Sequence, residues 1–397
     1  MQSTKKVLVI SHDANLNGAP ILLLRLMRVL KKHGYSFNTI LRNGGPLVNE
    51  FKALSDVCGH FRISNSAGFI SKLNNRLRGR VKAFDMLAYT ADVDFVLSNT
   101  ITNGDVLKVL REHYEGPIIS YVHELKMGEA LYSTPASIDV TVKMTNHFLI
   151  PSNAVKQHLQ FTHGIPEKKI NLLNYYIPIS ADEKESSTSF KAARDHSGKF
   201  IVGGIGTIGW RKGADIFVLV AATLFKKMPD ANIQFVWMGG YSADPETSRL
   251  NYDIEKLELQ EKVVMVNAST DTSAFYRNIS VLLLSSREDP YPLVVLEAAA
   301  EKVPTVCFEN AGGTPEFVQD NAGTVVPYLD IDAMADALIN YYQNNNLPEL
   351  YGTKSFEKVK RLHQNKELII TQLNDALLKV LQNGNNSLSQ SPAAFLS

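Results

Sequence analysis

The chain has 397 residues, 45% of them apolar and 20% charged, with 41 Lys and Arg against 40 Asp and Glu, a net charge of +1. A balance this near neutral excludes a global attraction to nucleic acid or anionic lipid, and the composition is that of a globular chain long enough for two domains. Cys58 and Cys307 are isolated, which excludes a disulfide framework or a thiolate metal cage. Residues 1–6 run directly into an apolar strand-like stretch at 7–10, with no signal-type apolar segment. No run approaches the roughly 18 apolar residues of a membrane span. A cytoplasmic, reducing setting is expected.

Short apolar strands alternate with helical patterns in two series. The first series has strands at 7–10, 37–41, 95–97, 118–121, 148–150 and 170–173, with helices such as 21–32 and 154–161. The second has strands at 200–205, 233–238, 263–266, 281–284, 305–308 and 323–326, with helices at 214–227 and 334–342. Such alternation predicts two doubly wound parallel α/β sheets. Residues 180–199, rich in Ser, Lys, Asp and Glu, read as a linker. A helical pattern over 356–381 follows the last strand, and the Asn/Ser-rich stretch 384–397 is expected to be disordered. The domains are therefore set at 1–180 and 197–355.

Parallel sheets bind ligands at the carboxyl ends of their strands, so the residues just beyond each strand carry the functional signal. After the first strand come Ser11, His12 and the turn Asn17-Gly18-Ala19-Pro20, which opens a helix. Lys72, Arg76, Arg78, Arg80 and Lys82 form a basic run, and Phe69, Leu73, Leu77 and Val81 recur at four-residue spacing. Residues 69–84 thus read as an amphipathic helix, resting either on an anionic membrane or on its own sheet. Asp92-Val93-Asp94 precedes a strand instead of following one, and is read as loop acid, not as a metal site. His123-Glu124 follows the strand at 118–121; the histidine is either structural or catalytic.

Gly204-Ile205-Gly206-Thr207-Ile208-Gly209 has the form of a dinucleotide fingerprint. The acid that should end the next strand is missing, since that strand closes on Met238-Gly239-Gly240. This argues against a nicotinamide or flavin, and no cofactor is expected. Arg211 and Lys212 follow at once, in the first turn of a helix, where cations are unfavourable unless an anion is present.

The most informative stretch is Ser285 to Glu297, which links the buried strand 281–284 to an alanine-rich helix. Pro292 suits the first helical position, and Tyr291 before it cannot cap. The N–H groups of Leu293, Val294 and Val295 then lack a side-chain acceptor, which makes the helix tip an anion site. Asp289 and Glu297 flank it, and carboxylates hold hydroxyls, not phosphate. A ligand carrying both, such as a nucleotide sugar, fits the pair. Downstream, the glycines of Ala311-Gly312-Gly313-Thr314-Pro315-Glu316 allow close backbone approach, while Glu316 either meets the ligand or satisfies helix N–H groups.

The stretch from Asp289 to Glu297 resembles the E-x7-E motif of the retaining glycosyltransferases of family 4, and the resemblance extends over most of the chain, most strongly over 200–326. It implies a GT-B fold: two Rossmann-like, doubly wound α/β domains facing a central cleft, with the helix at 356–381 crossing back onto the first. It implies a retaining, metal-independent, hexosyltransferase-type enzyme that moves a sugar from a UDP- or GDP-linked donor to a hydroxyl of a glycan or lipid-linked acceptor. Cell-surface polysaccharide or glycolipid synthesis is the expected setting, at the cytoplasm or the inner membrane face. The resemblance places Asp289, or its neighbour Glu288, by the donor sugar, Glu297 on the ribose, Lys212 and Arg211 on the diphosphate, His123 by the donor sugar, and Gly18, Tyr291, Pro292, Leu293, Val294, Gly313 and Glu316 along the donor. The catalytic set is His123, Asp289, Lys212 and Arg211. Three departures stand out: Asp289 where the motif has Glu, Thr207 where an arginine is usual, and a single glycine at Gly18. Thr207 and Asp289 keep open a second reading, a nucleotide-sugar-binding protein without transfer activity, and a GT-B-like epimerase of nucleotide sugars is a third.

Overall fold

The computed structural model describes residues 5–61, 86–178, 198–240, 244–269, 272–319 and 321–388, with side chains to residue 380. The linker expected at 180–199 falls almost wholly outside these residues, as does the basic helix expected at 69–84.

By internal contacts the chain divides into two units, the first made of 1–150, 159–173 and 370–397, the second of 151–158 and 174–369. Each contains one sheet with only parallel pairings.

The first sheet has seven strands: β1 (Lys5–Ser11), β2 (Tyr35–Leu41), β3 (Val57–His60), β4 (Phe95–Asn99), β5 (Ile118–Tyr121), β6 (His147–Ile150) and β7 (Ile170–Leu172). Their order is β3-β2-β1-β4-β5-β6-β7. Six of the seven were legible as apolar runs. The seventh, β3, has the sequence Val-Cys-Gly-His and no such run; it exists because β2 offers it a ladder from Asn38 to Leu41. Val7, Leu8, Val9 and Ile10 of β1 are wholly buried, as expected for a strand covered on both faces.

The second sheet has six strands: β8 (Phe200–Ile205), β9 (Ile233–Gly240), β10 (Val263–Asn267), β11 (Val281–Leu284), β12 (Thr305–Phe308) and β13 (Gly323–Val326), in the order β10-β9-β8-β11-β12-β13. Helices Ala214–Lys227 and Ile331–Gln343 bury their apolar faces in its core. Phe217 meets Phe235 and Trp237 edge-on, both at 5.3 Å between ring centroids, a geometry favourable to aromatic pairs.

In both sheets the order reverses beside the first strand, between β1 and β4 and between β8 and β11. Connections leave in opposite directions there, which opens a crevice at the carboxyl ends of the two strands. The loops that follow these strands lie at that crevice.

The expected helix at 356–381 is two helices, Asn346–His363 and Lys366–Leu388. The break has a local cause. The amide of Gln364 reaches back to the carbonyl of Val359 at 3.0 Å, ending the first helix, and the Asn365 side chain accepts from the amide of Leu368 at 3.1 Å, starting the second. The second helix continues to Leu388, so the first residues of the stretch expected to be disordered are helical; 389–397 lie outside the described residues. Residues of this helix join the first unit, with Asn374 accepting from the Tyr35 hydroxyl at 3.2 Å and Lys379 donating to Asn171 at 3.0 Å.

Candidate functional site

In the second unit, the switch point is formed by the loop after β8 and the loop after β11. Gly213 caps helix Ala214–Lys227 in a left-handed conformation (φ 69°), and a Cβ there would meet the carbonyl oxygen of Ser285 at 2.0 Å. Glycine is therefore required for the two loops to touch. Ser285 completes the contact by donating to the carbonyl of Gly213 at 2.8 Å.

This junction brings Arg211, Lys212 and Asp289 together. Lys212 Nζ is hydrogen-bonded to Asp289 Oδ2, and Arg211 Nη1 lies 3.8 Å from Asp289 Oδ1 while donating to the carbonyl of Glu288 at 2.9 Å. Burial pushes the Lys212 ammonium below its ordinary pKa and Arg211 adds to this, while Asp289 opposes it. Asp289 is only 5% exposed. Its backbone is fixed by an isolated parallel bridge to Gly312, whose φ of 128° and lack of a side chain let the two segments meet; a Cβ there would lie 1.9 Å from the Asp289 carbonyl. Gly313 donates to the same carbonyl at 3.2 Å and to that of Pro290 at 3.0 Å.

Helix Leu293–Ala300 follows. Pro292 is its N-cap residue, with an extended ψ of 129°, and not its first helical residue. No side chain caps this end, as expected. Val295, however, donates to the Pro292 carbonyl at 3.2 Å, so the tip offers the amides of Leu293 and Val294 and not three. Glu297 stands just over one turn further in, accepting from the Tyr276 hydroxyl at 3.2 Å. Acid, cations and uncapped helix tip thus occupy one switch point.

Two predicted residues have other attachments. Tyr291 donates its hydroxyl to His363 Nε2 at 3.1 Å, and His363 Nδ1 donates to the Tyr175 carbonyl at 3.0 Å. Burial holds the His363 imidazole down at about 4, hence neutral, and pushes the Tyr291 phenol up. Tyr291 is thereby an anchor of the loop. Glu316 directs both carboxylate oxygens at backbone, accepting from Asn153 and Ala154 at 2.7 Å each. It satisfies helix N–H groups, though of helix Asn153–His163 and not of its own.

Arg287 and Trp210 were not singled out from the sequence. Arg287 grips Asp215 through both guanidinium nitrogens, at 2.9 and 2.6 Å, and donates to the Trp210 carbonyl at 2.7 Å. Its guanidinium lies 5.2 Å from the Trp210 ring centroid. Trp210 remains 55% exposed, an indole pinned in place beside the cations. Among the described residues only Trp237 shares its type, and that one is buried.

In the first unit, the switch point lies between the loops after β1 and β4. Gly18 begins helix Gly18–Lys31, whose N-cap Asn17 makes no side-chain capping bond. Asp13 instead gathers the preceding loop, accepting from the Asn15 amide at 3.1 Å and the Asn15 side chain at 3.0 Å. His123, just past β5, has Nε2 at 2.8 Å from Asn99 Oδ1. Burial, aided by the charge of His12, lowers its pKa to about 3. Glu124 accepts from the amides of His123 at 3.0 Å and Ile101 at 3.2 Å, tying the ends of β4 and β5 together. Thr100 between them has a φ of 89°, an uncommon conformation for a β-branched residue.

Comparison with known proteins agrees with this picture. Residues 186–358 match the family model of the glycosyl transferases group 1. An uncharacterized glycosyltransferase of Haemophilus influenzae is 30% identical over 141 residues, 35% of this chain and 38% of that one. A lipopolysaccharide core biosynthesis mannosyltransferase of Rhizobium leguminosarum is 22% identical over 204 residues, 51% of this chain and 56% of that one. The chain thus spans about half the length of these curated relatives or less. Anabaena HepE, solved with UDP and glucose, aligns over 98% of this chain and 100% of its own with a TM-score of 0.72 at 15% identity. The fold is GT-B, as expected.

Proposed function

We propose that the protein is a retaining glycosyltransferase that moves a sugar from a nucleotide-sugar donor to a hydroxyl acceptor, in the synthesis of a cell-surface polysaccharide or glycolipid. The observation that carries this reading is the cluster in the second unit, where Lys212 and Arg211 converge on Asp289 beside an uncapped helix tip, with Glu297 one turn on. Cations and free amides suit a pyrophosphate; carboxylates suit ribose and sugar hydroxyls. The UDP and glucose bound to the Anabaena protein and the glycan-building role of the Rhizobium relative support the same reading.

In the proposed reaction the bond between the anomeric carbon and the diphosphate oxygen breaks as negative charge gathers on the leaving group. Lys212, Arg211 and the amides of Leu293 and Val294 stabilise that charge, which is greatest in the transition state. The acceptor hydroxyl attacks the same face of the sugar and passes its proton to the departing phosphate oxygen, so configuration is retained and no protein nucleophile is used. Asp289 and His123 position the sugar, and Glu297 holds the ribose. With this cationic site present, catalysis requires no metal.

No described helix is long and apolar enough to cross a membrane. We place the reaction in the cytoplasm, with any lipid-linked acceptor met at the membrane surface.

A panel of UDP-, GDP- and ADP-linked sugars, incubated with and without EDTA, tests the proposal. Release of nucleoside diphosphate with an axial or equatorial product matching the donor, unaffected by EDTA, is expected. An epimerised donor, or tight binding with no turnover in the presence of glycan acceptors, would overturn it.

A further inference from the structure

We propose that Trp210 is a stacking platform for a closed sugar ring of the acceptor, so that the acceptor ends in a pyranose and not in an open-chain polyol or a phosphate. The inference rests on the transfer reaction proposed above and names the class of substrate that receives the sugar.

A single exposed apolar residue is ordinary on a protein surface. Trp210 differs because it is 55% exposed and yet held still. Its backbone lies in a tight turn closed by the Gly209 carbonyl, which accepts from the amides of Lys212 at 3.1 Å and Gly213 at 3.2 Å. Its own carbonyl accepts from Arg287 Nη1 at 2.7 Å. The same guanidinium stands over the indole, 5.2 Å from the ring centroid, and is kept there because Asp215 grips both its terminal nitrogens at 2.9 and 2.6 Å.

The backbone of Arg287 is fixed in turn. Its amide donates to the Arg211 carbonyl at 2.9 Å, and its carbonyl accepts from the Tyr328 hydroxyl at 3.1 Å. An indole immobilised in this way has already lost the rotamer freedom that a ligand would otherwise have to remove. Space for a ligand lies beside it. A Cβ built on Gly209 would meet no atom within 4 Å. The φ of Gly209 is not positive, so no backbone requirement explains a glycine there.

Position selects the ligand. Trp210 precedes Lys212 by two residues, so their Cα atoms are at most roughly 7 Å apart. Lys212 meets Asp289, the pair assigned above to the leaving group and the transferred sugar. The nucleotide end of the site lies elsewhere. Glu297, assigned to the ribose, is held by Tyr276 of helix Ser273–Tyr276, which enters β11 from the β10 side of the sheet. Arg287 is held from the opposite side, by Tyr328, whose ring lies 6.0 Å from that of Phe308 at the end of β12. The indole therefore stands towards the transferred sugar, where an acceptor arrives. Its broad apolar face, negative at the centre, matches the C–H face of a pyranose, whose hydroxyls project from the ring edge. An alditol chain has no such face, and a phosphate is disfavoured by it.

The test uses the wild-type chain, which has two tryptophans. Trp237 is 2% exposed, so the fluorescence that acrylamide quenches is that of Trp210, and Trp210→Phe identifies it by its loss. The probes are methyl glycosides of hexoses and N-acetylhexosamines, the alditols sorbitol and ribitol, and UDP and GDP without sugar. Protection of Trp210 by one or more glycosides is expected, with none from alditol or nucleotide. In transfer assays Trp210→Ala should raise the acceptor KM by about tenfold, with Trp210→Phe recovering most of this and nucleotide affinity unchanged in both. Protection by UDP or GDP alone would mean that the ring stacks on the base, and overturns the proposal. So does equal protection by an alditol, protection by no glycoside of the panel, or an acceptor KM indifferent to Trp210→Ala. Glycosides that protect Trp210 in a protein releasing no nucleotide from any donor uphold the platform and overturn the reaction class instead.

Discussion

The two switch points are built on the same strand order yet carry opposite chemistry. In the second unit, between β8 and β11, Arg211 and Lys212 pair with Asp289, and Arg287 pairs with Asp215. In the first, between β1 and β4, His123 is neutral and Glu124 is engaged with backbone amides. A shared scaffold therefore does not imply a shared ligand group. The cations of the second unit suit an anionic group, whereas the neutral His123 imidazole of the first suits an uncharged one.

The comparison is strained hardest at Lys212. If the second unit stabilises a leaving diphosphate, Lys212→Ala should slow transfer by about a hundredfold or more, as loss of a charge-stabilising group does elsewhere, with donor affinity changed much less. Steady-state rates and donor binding measured on the same preparation check this. A loss confined to KM would mean that Lys212 binds donor and transition state equally.

Asp289 sharpens the same point in the opposite direction. Its carboxylate is the counter-ion of Lys212 and Arg211 in this structure, and an arriving pyrophosphate must compete with it. Asp289→Asn should tighten the binding of inorganic pyrophosphate by about tenfold, the equivalent of roughly 1.4 kcal/mol, while transfer falls because the sugar loses its carboxylate. Calorimetry with pyrophosphate reads the first effect without any sugar present. Weaker pyrophosphate binding in the variant would show that Asp289 organises the cations instead of opposing the anion.

Glu297 should matter for the nucleotide and not for chemistry. Glu297→Ala is expected to weaken UDP or GDP binding by about tenfold, since hydrogen bonds to a charged group contribute roughly 1.5–3 kcal/mol. Tyr276→Phe, which removes only the hydroxyl donated to this carboxylate, should have a smaller effect in the same thermal-shift or calorimetric assay. Equal affinities for wild type and Glu297→Ala would remove the ribose assignment.

How far the sequence revealed this depended on the range of the interaction. Strands β5, β8, β11, β12 and β13 match the apolar runs residue for residue, because burial on both faces writes itself directly into composition. Strand β3 left no such trace, since its existence depends on pairing with β2. The break between His363 and Lys366 was missed because the apolar rhythm continues across it, and only Asn365 as a cap marks the restart. At the site, Lys212, Asp289 and the bare helix tip were legible from local turn chemistry. Their pairing was not, since 77 residues separate the two partners. His363 and Arg287 escaped for the same reason. Asn99 had a usable signal: a polar amide closing an apolar strand at the position where strand order reverses.

Glu316 gives the smallest effect and the cleanest separation of structure from binding. The sequence left it between ligand contact and helix cap. Both its oxygens now accept from Asn153 and Ala154, residues of its own unit at the start of helix Asn153–His163. Loss of a helix cap costs about 1 kcal/mol, so Glu316→Ala should lower Tm by about 2–4 °C. Glu316→Asp, one methylene shorter, should recover only part of this. Nucleotide affinity should be unchanged in both, because the carboxylate is already engaged with backbone. A variant of full thermal stability with reduced donor affinity would reverse that ordering and move Glu316 from the scaffold to the donor.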